Sequence, residues 1–370
     1  MTPTMNVPYV NLVAQNAAIK QQLLAAVEKT LDHSNFILGD EVDEFERRFA
    51  QQCGVGYAVG VNSGTDALIL AIKALGIGPG DEVITVPNSF VASTSCIALM
   101  GAHPVFVDVG EDYNIDPLQI EAAITPRTRA IIPVHLTGRP AEMDCLLEIA
   151  QKHNLHIIED SAQAVCAEYK GKRVGSFGTA GCFSLHPLKT LNACGDGGVL
   201  TTNDPKLYEQ FKVLRNHGLR NRDECTVWSY NSRLDTIQAA ILLVDLEYLE
   251  QWTNKRRANA KRYQQLLTDL PQVTLPIDKP HEKAVYHTFV IQAERRAQLK
   301  DYLSNQGIGT SIHYPIPIHL QESATYLGHE PGSFPTTERQ ADKILSLPVY
   351  PELEDQQIEY VTECIRRFYD

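Results

Sequence analysis

The sequence predicts an α/β fold: a large domain with a mostly parallel, mixed sheet flanked by helices on both faces, then a smaller α+β domain. Two observations carry this prediction. Between residues 56 and 162, short apolar segments alternate with segments of helical periodicity, which is typical of a parallel sheet covered by helices. From residue 231 a long helical pattern replaces the alternation. A chain of 370 residues is also long enough for two cores.

Two helices are predicted before the alternation begins. Residues 15–33 have helical periodicity, and the segment LGDEVDEFERRFAQQCG, residues 38–54, is amphipathic and ends at Gly54. Glycine is common just beyond the last residue of a helix. These helices form an N-terminal segment of the large domain.

The alternation itself consists of apolar strands separated by helices. Strands are predicted at 56–64, 81–87, 104–109, 128–136 and 153–162. Helices are predicted at 65–78, 89–101 and 142–153.

The remainder of the chain changes character. The elements predicted there are a long helix at 231–267, a strand at 285–292, a helix at 295–307 and a strand at 309–314. We therefore expect a large domain over residues 1–240 and a second part over residues 241–370, made of a connecting helix and a small α+β domain.

Composition excludes several classes of function. The formal net charge of −12 argues against binding to nucleic acids or anionic membranes, which requires a basic face. No apolar run approaches the roughly 18 residues of a membrane span, and the first residues lack the basic and apolar regions of a signal peptide. The eight cysteines are scattered without a CxxC pair, so we expect free thiols, no bound metal and a cytoplasmic location.

The segment VNSGTDAL, residues 61–68, places a turn between a strand and a helix. Free backbone N–H groups at a helix N-terminus, with nearby hydroxyl groups, can bind a phosphate. Serine, threonine and aspartate are equally common as helix caps, so the segment alone leaves both interpretations open. Gly54, Gly56 and Gly60 lack the G-x-G-x-x-G spacing and do not join a strand to a helix, which argues against a nicotinamide dehydrogenase.

Two further groups suggest cofactor chemistry. Asp160 ends the apolar strand HIIED, where parallel sheets present ligand-binding groups, and Gln163 follows it. Lys189 lies among apolar and small residues before a glycine-rich segment. An amine in such surroundings is more easily deprotonated for Schiff-base formation. Taken singly, a solvated strand end and a surface lysine remain alternatives. In this order, however, a phosphate cradle, a strand-end acid and a buried lysine form the set that pyridoxal phosphate requires.

The chain resembles the DegT/DnrJ/EryC1/StrS family of sugar aminotransferases, a branch of the fold-type I pyridoxal-phosphate enzymes that are similar in fold to aspartate aminotransferase. The resemblance extends over nearly the whole chain. The segments that carry it are LGDEVDEFERRFA, AVGVNSGTDALILAIKALGIGPGDEVITVP, PVHLTGRPAEMD, IIEDSAQA, FSLHPLKTLNACGDGGVLTTND, YNSRLDTIQAAIL and HYPIPIHLQ.

The resemblance implies pyridoxal 5'-phosphate as the cofactor and assigns residues to its ring. Lys189 would form the Schiff base with the cofactor and transfer the proton. Asp160 would pair with the pyridine nitrogen, Gln163 would lie near the ring and its phenolic oxygen, and Phe90 would stack on the ring.

The resemblance also implies how the phosphate is held. Gly64, Thr65 and Ser184 match phosphate contacts. Asn231 matches an asparagine that reaches the cofactor phosphate of the neighbouring subunit, so the protein is expected to be a homodimer with shared active sites.

Candidate substrate contacts are less specific. His313 and Tyr314 in SIHYPIPIHLQ match a sugar-facing loop, although a structural proline-rich turn is an equal alternative. Arg215, His217 and Arg220 are candidates for contact with a nucleotide diphosphate, or they belong to a solvated basic loop.

A lysine at position 189 favours transamination. One variant of the family has histidine at this position and removes a hydroxyl group from the sugar. His186, near Lys189, is therefore assigned to the neighbourhood of the substrate or to packing rather than to the role of the base.

The expected reaction is transfer of an amino group from L-glutamate or L-glutamine to a keto-deoxysugar linked to dTDP or UDP. The GDGG segment after Lys189 resembles members that aminate C3. The alternatives are amination at C4, a cyclitol ketone as substrate, or a regulatory protein that binds the cofactor without turnover.

Overall fold

The computed structural model describes residues 5–370, and a central sheet organises the first two thirds of them. Nine strands lie between residues 57 and 202: β1 Tyr57–Val61, β2 Glu82–Thr85, β3 His103–Phe106, β4 Thr128–Ile131, β5 His156–Asp160, β6 Glu168–Tyr169, β7 Lys172–Arg173, β8 Ala180–Ser184 and β9 Gly198–Thr202. Seven of them form one sheet in the order β1-β9-β8-β5-β4-β2-β3.

Only one strand of this sheet is reversed. The pairs from β8 through β5, β4 and β2 to β3 are parallel, whereas β9 is antiparallel to both β8 and β1. The predicted mixed, mostly parallel sheet is therefore confirmed. Since β1, β5 and β8 run in the same direction, their carboxyl ends lie at one edge of the sheet.

Helices cover both faces of this sheet and build the second part of the molecule. They are α1 Leu12–His33, α2 Asp40–Cys53, α3 Gly64–Ala74, α4 Ala92–Leu99, α5 Pro117–Ala123, α6 Met143–His153, α7 Pro205–Arg215, α8 Thr236–Leu267, α9 Arg296–Asn305, α10 Pro335–Lys343 and α11 Asp355–Tyr369. Neighbouring residues of β2 separate the two faces. Val83 packs in a cluster with α3 and α4, while Ile84 packs in a cluster with α5 and α6.

A smaller antiparallel sheet forms the second core. Its strands β10 Val273–Thr274, β12 Phe289–Ala293 and β13 Ile344–Leu347 pair in the order β10-β12-β13, while β11 Glu282–Lys283 pairs with β6. The C-terminal half of α8 packs there with α9 and α11. Val7 joins the same cluster and bridges to Ile308. The domain boundary predicted near residue 240 falls within α8.

The structure corrects one predicted strand and adds others. Residues 309–314 form no strand; Ser311 makes a single bridge to Ser346, and Tyr314 has a φ of 63°. A left-handed residue followed by proline cannot continue a ladder, because proline lacks the N–H donor. The strands β8 and β9 were not predicted, and the loop between them carries Lys189. No helix within residues 5–370 is long and apolar enough to cross a membrane.

Candidate active site

The predicted cofactor residues converge at the edge of the sheet where β1, β5 and β8 end. A cavity of about 360 Å³ lies there. The residues predicted from the sequence that line it are Gly64, Thr65, Phe90, Asp160, Gln163, Ser184, His186, Lys189 and Tyr314. Parallel strands explain the convergence, because each places the residue that follows it at the same edge.

Asp160 is a buried carboxyl group at the end of β5, with 4% of its surface exposed. Its Oδ2 accepts a hydrogen bond from Ser93 Oγ at 2.7 Å, and its Oδ1 accepts one from the N–H of Ala162 at 3.2 Å. Burial raises the pKa of Asp160 despite these two donors and the nearby Lys189 cation. A cation bound beside the carboxylate would offset this cost, so the site suits a protonated ring nitrogen.

Lys189 lies in the loop between β8 and β9 and lines the same cavity. Burial lowers the pKa of Lys189 to about 8, although the Asp160 carboxylate opposes this shift. Near neutral pH a usable fraction of the amine is therefore unprotonated. This is the form that attacks an aldehyde carbon.

The start of α3 provides a glycine-lined cradle. Ser63 caps the helix, its side chain accepting a hydrogen bond from the N–H of Asp66 at 3.0 Å. A Cβ at Gly64 would lie 2.7 Å from Ser184 Cβ, and a Cβ at Gly198 would lie 2.3 Å from the carbonyl oxygen of Ser63. Only glycine permits this approach. Capping and anion binding are compatible here, because a helix N-terminus has several free N–H groups.

Gln163 is fixed on two sides above the strand end. Its Oε1 accepts a hydrogen bond from the N–H of Thr137 at 2.8 Å, and its Nε2 donates one to Tyr314 Oη at 2.9 Å. Phe90 is 55% exposed, and its ring centroid lies 6.3 Å from that of Tyr314. An apolar ring with so much free surface is available to stack on a flat ligand.

A second cavity of about 230 Å³ adjoins the first through Phe90, His186, Lys189 and Tyr314, and His313 lines it. His313 Nδ1 lies 2.7 Å from Ser346 Oγ. Burial, followed by the nearby Lys189 cation, lowers the pKa of His313 to about 4. His313 therefore faces the cavity as a neutral imidazole.

The model of the DegT/DnrJ/EryC1/StrS aminotransferase family matches residues 17–366. The chain belongs to this family. It is 44% identical over 368 residues to dTDP-3-amino-3,4,6-trideoxy-alpha-D-glucose transaminase of Streptomyces venezuelae, which covers 99% of this chain and 97% of the relative. A 369-residue match to UDP-N-acetyl-3-dehydro-alpha-D-glucosamine 3-aminotransferase of Acidithiobacillus ferrooxidans is also 44% identical and covers 99% of each chain.

Two more comparisons add to this picture. A pleiotropic regulatory protein of Geobacillus stearothermophilus is 44% identical over 368 residues, with 99% of each chain covered. Among solved structures, S. venezuelae DesV in complex with a ketimine intermediate matches with a TM-score of 0.97 and 43% identity, covering 99% of each chain.

As a member of this aminotransferase family, the protein is a pyridoxal-phosphate-dependent transaminase. Its own residues fit the cofactor. Three features lie around one cavity. They are the Asp160 carboxyl group, whose pKa is raised by burial, the Lys189 amine, whose pKa is lowered, and the start of α3, where Gly64 leaves no room for a side chain.

Two predicted site residues, Asn231 and Arg220, line neither of these cavities. Asn231 is exposed and bridges to Asn216. Arg220 is exposed and pairs with Glu224 at 3.1 Å. Arg215 is buried in an ion pair with Glu46, so the suggestion that it contacts a diphosphate is wrong.

Several residues that support the site were not predicted from the sequence. Ser93 binds Asp160 from α4, across a long stretch of chain. His135 Nδ1 accepts a hydrogen bond from the N–H of Ala141, so its Nε2 donates to Glu159 at 3.0 Å. This pair fixes the end of β5. A buried histidine or serine has no sequence signal that distinguishes such a role.

Proposed function

We propose that this enzyme moves an amino group from L-glutamate or L-glutamine to the C3 ketone of a deoxysugar linked to dTDP or UDP. The observation that carries the proposal is the cavity in which Lys189 and Asp160 lie together. The two enzyme relatives, whose names specify 3-amino sugar products or a 3-keto substrate on dTDP and UDP, support the position and the substrate class.

Each residue has a part in this reaction. Pyridoxal phosphate, when bound, accepts the amino group from the donor and passes it to the keto-sugar. Asp160 holds the ring nitrogen in its protonated form, and Gly64, Thr65 and Ser184 hold the phosphate. Lys189 Nζ would remove a proton from the donor's α carbon in the first half of the reaction and would deliver a proton to C3 of the sugar in the second half.

Other residues position the ring and the sugar. Phe90 covers one face of the ring, and Gln163, held by Thr137 and Tyr314, lies beside its phenolic oxygen. His313, Tyr314 and His186 face the space where the sugar binds.

We further propose a cytoplasmic homodimer with shared active sites. Asn231 would reach the cofactor phosphate of the neighbouring subunit, and Arg220 would meet the nucleotide there. The surface next to Asn231 supports this assembly, because Trp228 is 86% exposed and Val227 and Tyr230 are also exposed. Exposed apolar groups in such a cluster favour a protein interface. Free thiols at all eight cysteines fit a reducing compartment.

The regulatory alternative has one observation in its favour, the name of the Geobacillus relative. The Lys189 and Asp160 pair in one cavity favours catalysis, because a carboxylate that keeps the ring nitrogen protonated serves turnover, whereas the Schiff base alone is sufficient for binding. Amination at C4 and a cyclitol ketone remain alternatives for the acceptor.

The test is to incubate the enzyme with glutamate or glutamine and a panel of 3-keto and 4-keto nucleotide sugars and a cyclitol ketone. We expect a 3-amino sugar, identified by mass spectrometry and NMR. Lys189→Ala is the control and should give no product. A 4-amino or cyclitol product would overturn the proposed acceptor, and the absence of any donor-dependent reaction would overturn the transfer itself.

A further inference from the structure

The cavity of about 230 Å³ beside Lys189 has an unbalanced charge. Lys189 and Arg256 line it together with His186, His287 and His313, and none of its lining side chains is acidic. Two cations facing one enclosed space, partly shielded from water, attract an anion more strongly than they would in solution.

Arg256 is the side chain in this cavity that most needs a partner. It lies on α8 with 7% of its surface exposed, and its buried Nε has no hydrogen-bond partner. Across residues 5–370 it forms no ion pair; Tyr9 and Glu352 act on it only at longer range. Burial lowers the pKa of Arg256 to about 10, which leaves it charged at neutral pH.

Arg215 is a second buried arginine and provides a comparison. It is about as buried as Arg256 and its Nε also lacks a hydrogen-bond partner, but its guanidinium is paired with Glu46 and with the carbonyl oxygen of Gly60. An unpaired buried guanidinium costs several kcal/mol. The anion that pairs with Arg256 is therefore expected from outside the chain.

His287, which lines the same cavity, neither adds a positive charge nor neutralises that of Arg256. Burial, followed by the Lys189 and Arg256 cations, lowers the pKa of His287 well below its usual range. His287 is therefore neutral, and its Nδ1 has no partner. The positive charge of this part of the cavity is thus on Arg256.

We propose that Arg256 binds the α-carboxylate of the amino-acid donor. The inference rests on the proposed function and adds a residue to it. In an amino acid the carboxylate is bonded to the carbon that carries the reacting nitrogen, so it must lie close to Lys189. The diphosphate of a nucleotide sugar is separated from the ketone by part of the sugar ring. A guanidinium group also matches a carboxylate with two parallel hydrogen bonds.

The test compares Arg256→Gln and Arg256→Lys with wild type in each half of the reaction, followed by the absorbance of the cofactor. With L-glutamate, kcat/KM should fall about a hundredfold in Arg256→Gln, the usual scale for losing one member of a buried charge pair. Arg256→Lys should retain an intermediate value. The reverse half-reaction with the amino-sugar product contains no donor carboxylate and should be unchanged.

A matched control and a binding measurement complete the test. Arg262→Gln removes an arginine from the same helix, one that is partly exposed and paired with Glu359 at 2.6 Å, and should behave as wild type. Calorimetry with succinate, a dicarboxylate that cannot react, should show weaker binding in Arg256→Gln but not in Arg262→Gln. If Arg256→Gln does not fold, Arg256→Lys decides the question by the same two measurements.

The possible failures are distinct. Wild-type enzyme that reacts with no amino acid would overturn the proposed function. Wild-type enzyme that reacts with glutamate while both Arg256 variants react equally well would overturn this inference alone. A loss confined to the amino-sugar half-reaction would also overturn it, and would assign Arg256 to the nucleotide diphosphate.

Discussion

At the scale of single residues, the site depends on two groups whose pKa values are shifted in opposite directions by burial. Burial raises the pKa of Asp160 and lowers that of Lys189. Both shifts disfavour the charged form of the side chain. A protonated ring nitrogen would pair with the Asp160 carboxylate, and an aldehyde would react with the neutral Lys189 amine. Both residues therefore suit a ligand that carries these two groups.

The first prediction concerns the pH at which Lys189 captures the cofactor. Only the neutral amine attacks the aldehyde, and the pKa of Lys189 is lowered from 10.5 to about 8. The rate of capture by cofactor-free protein should therefore rise with pH and level off above about 8. Stopped-flow absorbance measures this rate, with Lys189→Ala as the control that shows no such change. A midpoint near 10.5 would contradict the lowered pKa.

The second prediction concerns Ser93, which positions Asp160. Ser93→Ala removes the donor at 2.7 Å and should raise the pKa of Asp160 further. The carboxylate would then hold the ring nitrogen less well, and kcat should fall roughly tenfold. Profiles of kcat against pH should show the acidic limb moved to higher pH.

Ser89→Ala provides the control for this variant. Ser89 Oγ lies 2.9 Å from Ser93 Oγ, and the structure records no hydrogen bond from Ser89 to Asp160. Its removal should leave the acidic limb in place. An acidic limb that is the same in all three proteins would mean that Ser93 has only a packing role.

The sequence could predict residues that share a local signal. Asp160 follows a buried strand and Lys189 precedes a glycine-rich segment, and both line the cavity. Arg256 has no such signal, because it lies on α8 in the run NKRRANAKR, where a solvated helix face is the natural expectation. Its burial depends on packing against a distant part of the chain, which sequence patterns do not show.

At the scale of elements, the close approach of α3 to β8 shapes the proposed phosphate cradle. Gly64 starts the helix at a point where Ser184 leaves no space for a side chain. The sequence predicted this strand, turn and helix correctly, because their apolar spacing and cap are local. It did not predict β8 and β9, whose small residues and glycines resemble a loop until they pair with each other.

The third prediction tests this approach with Gly64→Ala. The new Cβ would lie 2.7 Å from Ser184 Cβ and 3.1 Å from Ser184 Cα, so the backbone must move. We expect a loss of about 1–3 kcal/mol in the free energy of unfolding and weaker binding of the cofactor. Thermal melting and cofactor titration measure these effects.

Gly56→Ala is the matched control, since its Cβ would meet nothing closer than 3.8 Å. This variant should bind the cofactor as wild type does. Equal cofactor affinity in Gly64→Ala and Gly56→Ala would show that the helix start can shift without disturbing the cradle.

At the scale of the whole molecule, the site needs both cores. Asp160 and Lys189 come from the large sheet, whereas Arg256, His287 and His313 come from α8 and the segments that follow it. In the proposed mechanism, the first group supplies the chemistry at the cofactor and the second faces the substrate. A change of specificity is therefore expected mainly from the second group, without loss of cofactor binding.

The proposed homodimer predicts that two defective variants recover activity when they form mixed dimers. If Asn231 serves the neighbouring subunit and Lys189 its own, then Lys189→Ala and Asn231→Ala subunits are defective for different reasons. In a mixed dimer one site carries both changes and the other carries neither. After unfolding and refolding together in equal amounts, the mixture should recover about a quarter of wild-type activity, since half the dimers are mixed and each has one intact site.

The control for this experiment is each variant refolded alone, which should stay at its low activity. Light scattering before mixing should show that each variant is a dimer. The low activity of each variant then does not result from a loss of assembly. If the mixture is no more active than the average of the two variants, Asn231 and Lys189 act within one subunit and the sites are not shared. Because Asn231 is exposed and borders neither cavity of its own chain, we expect recovery.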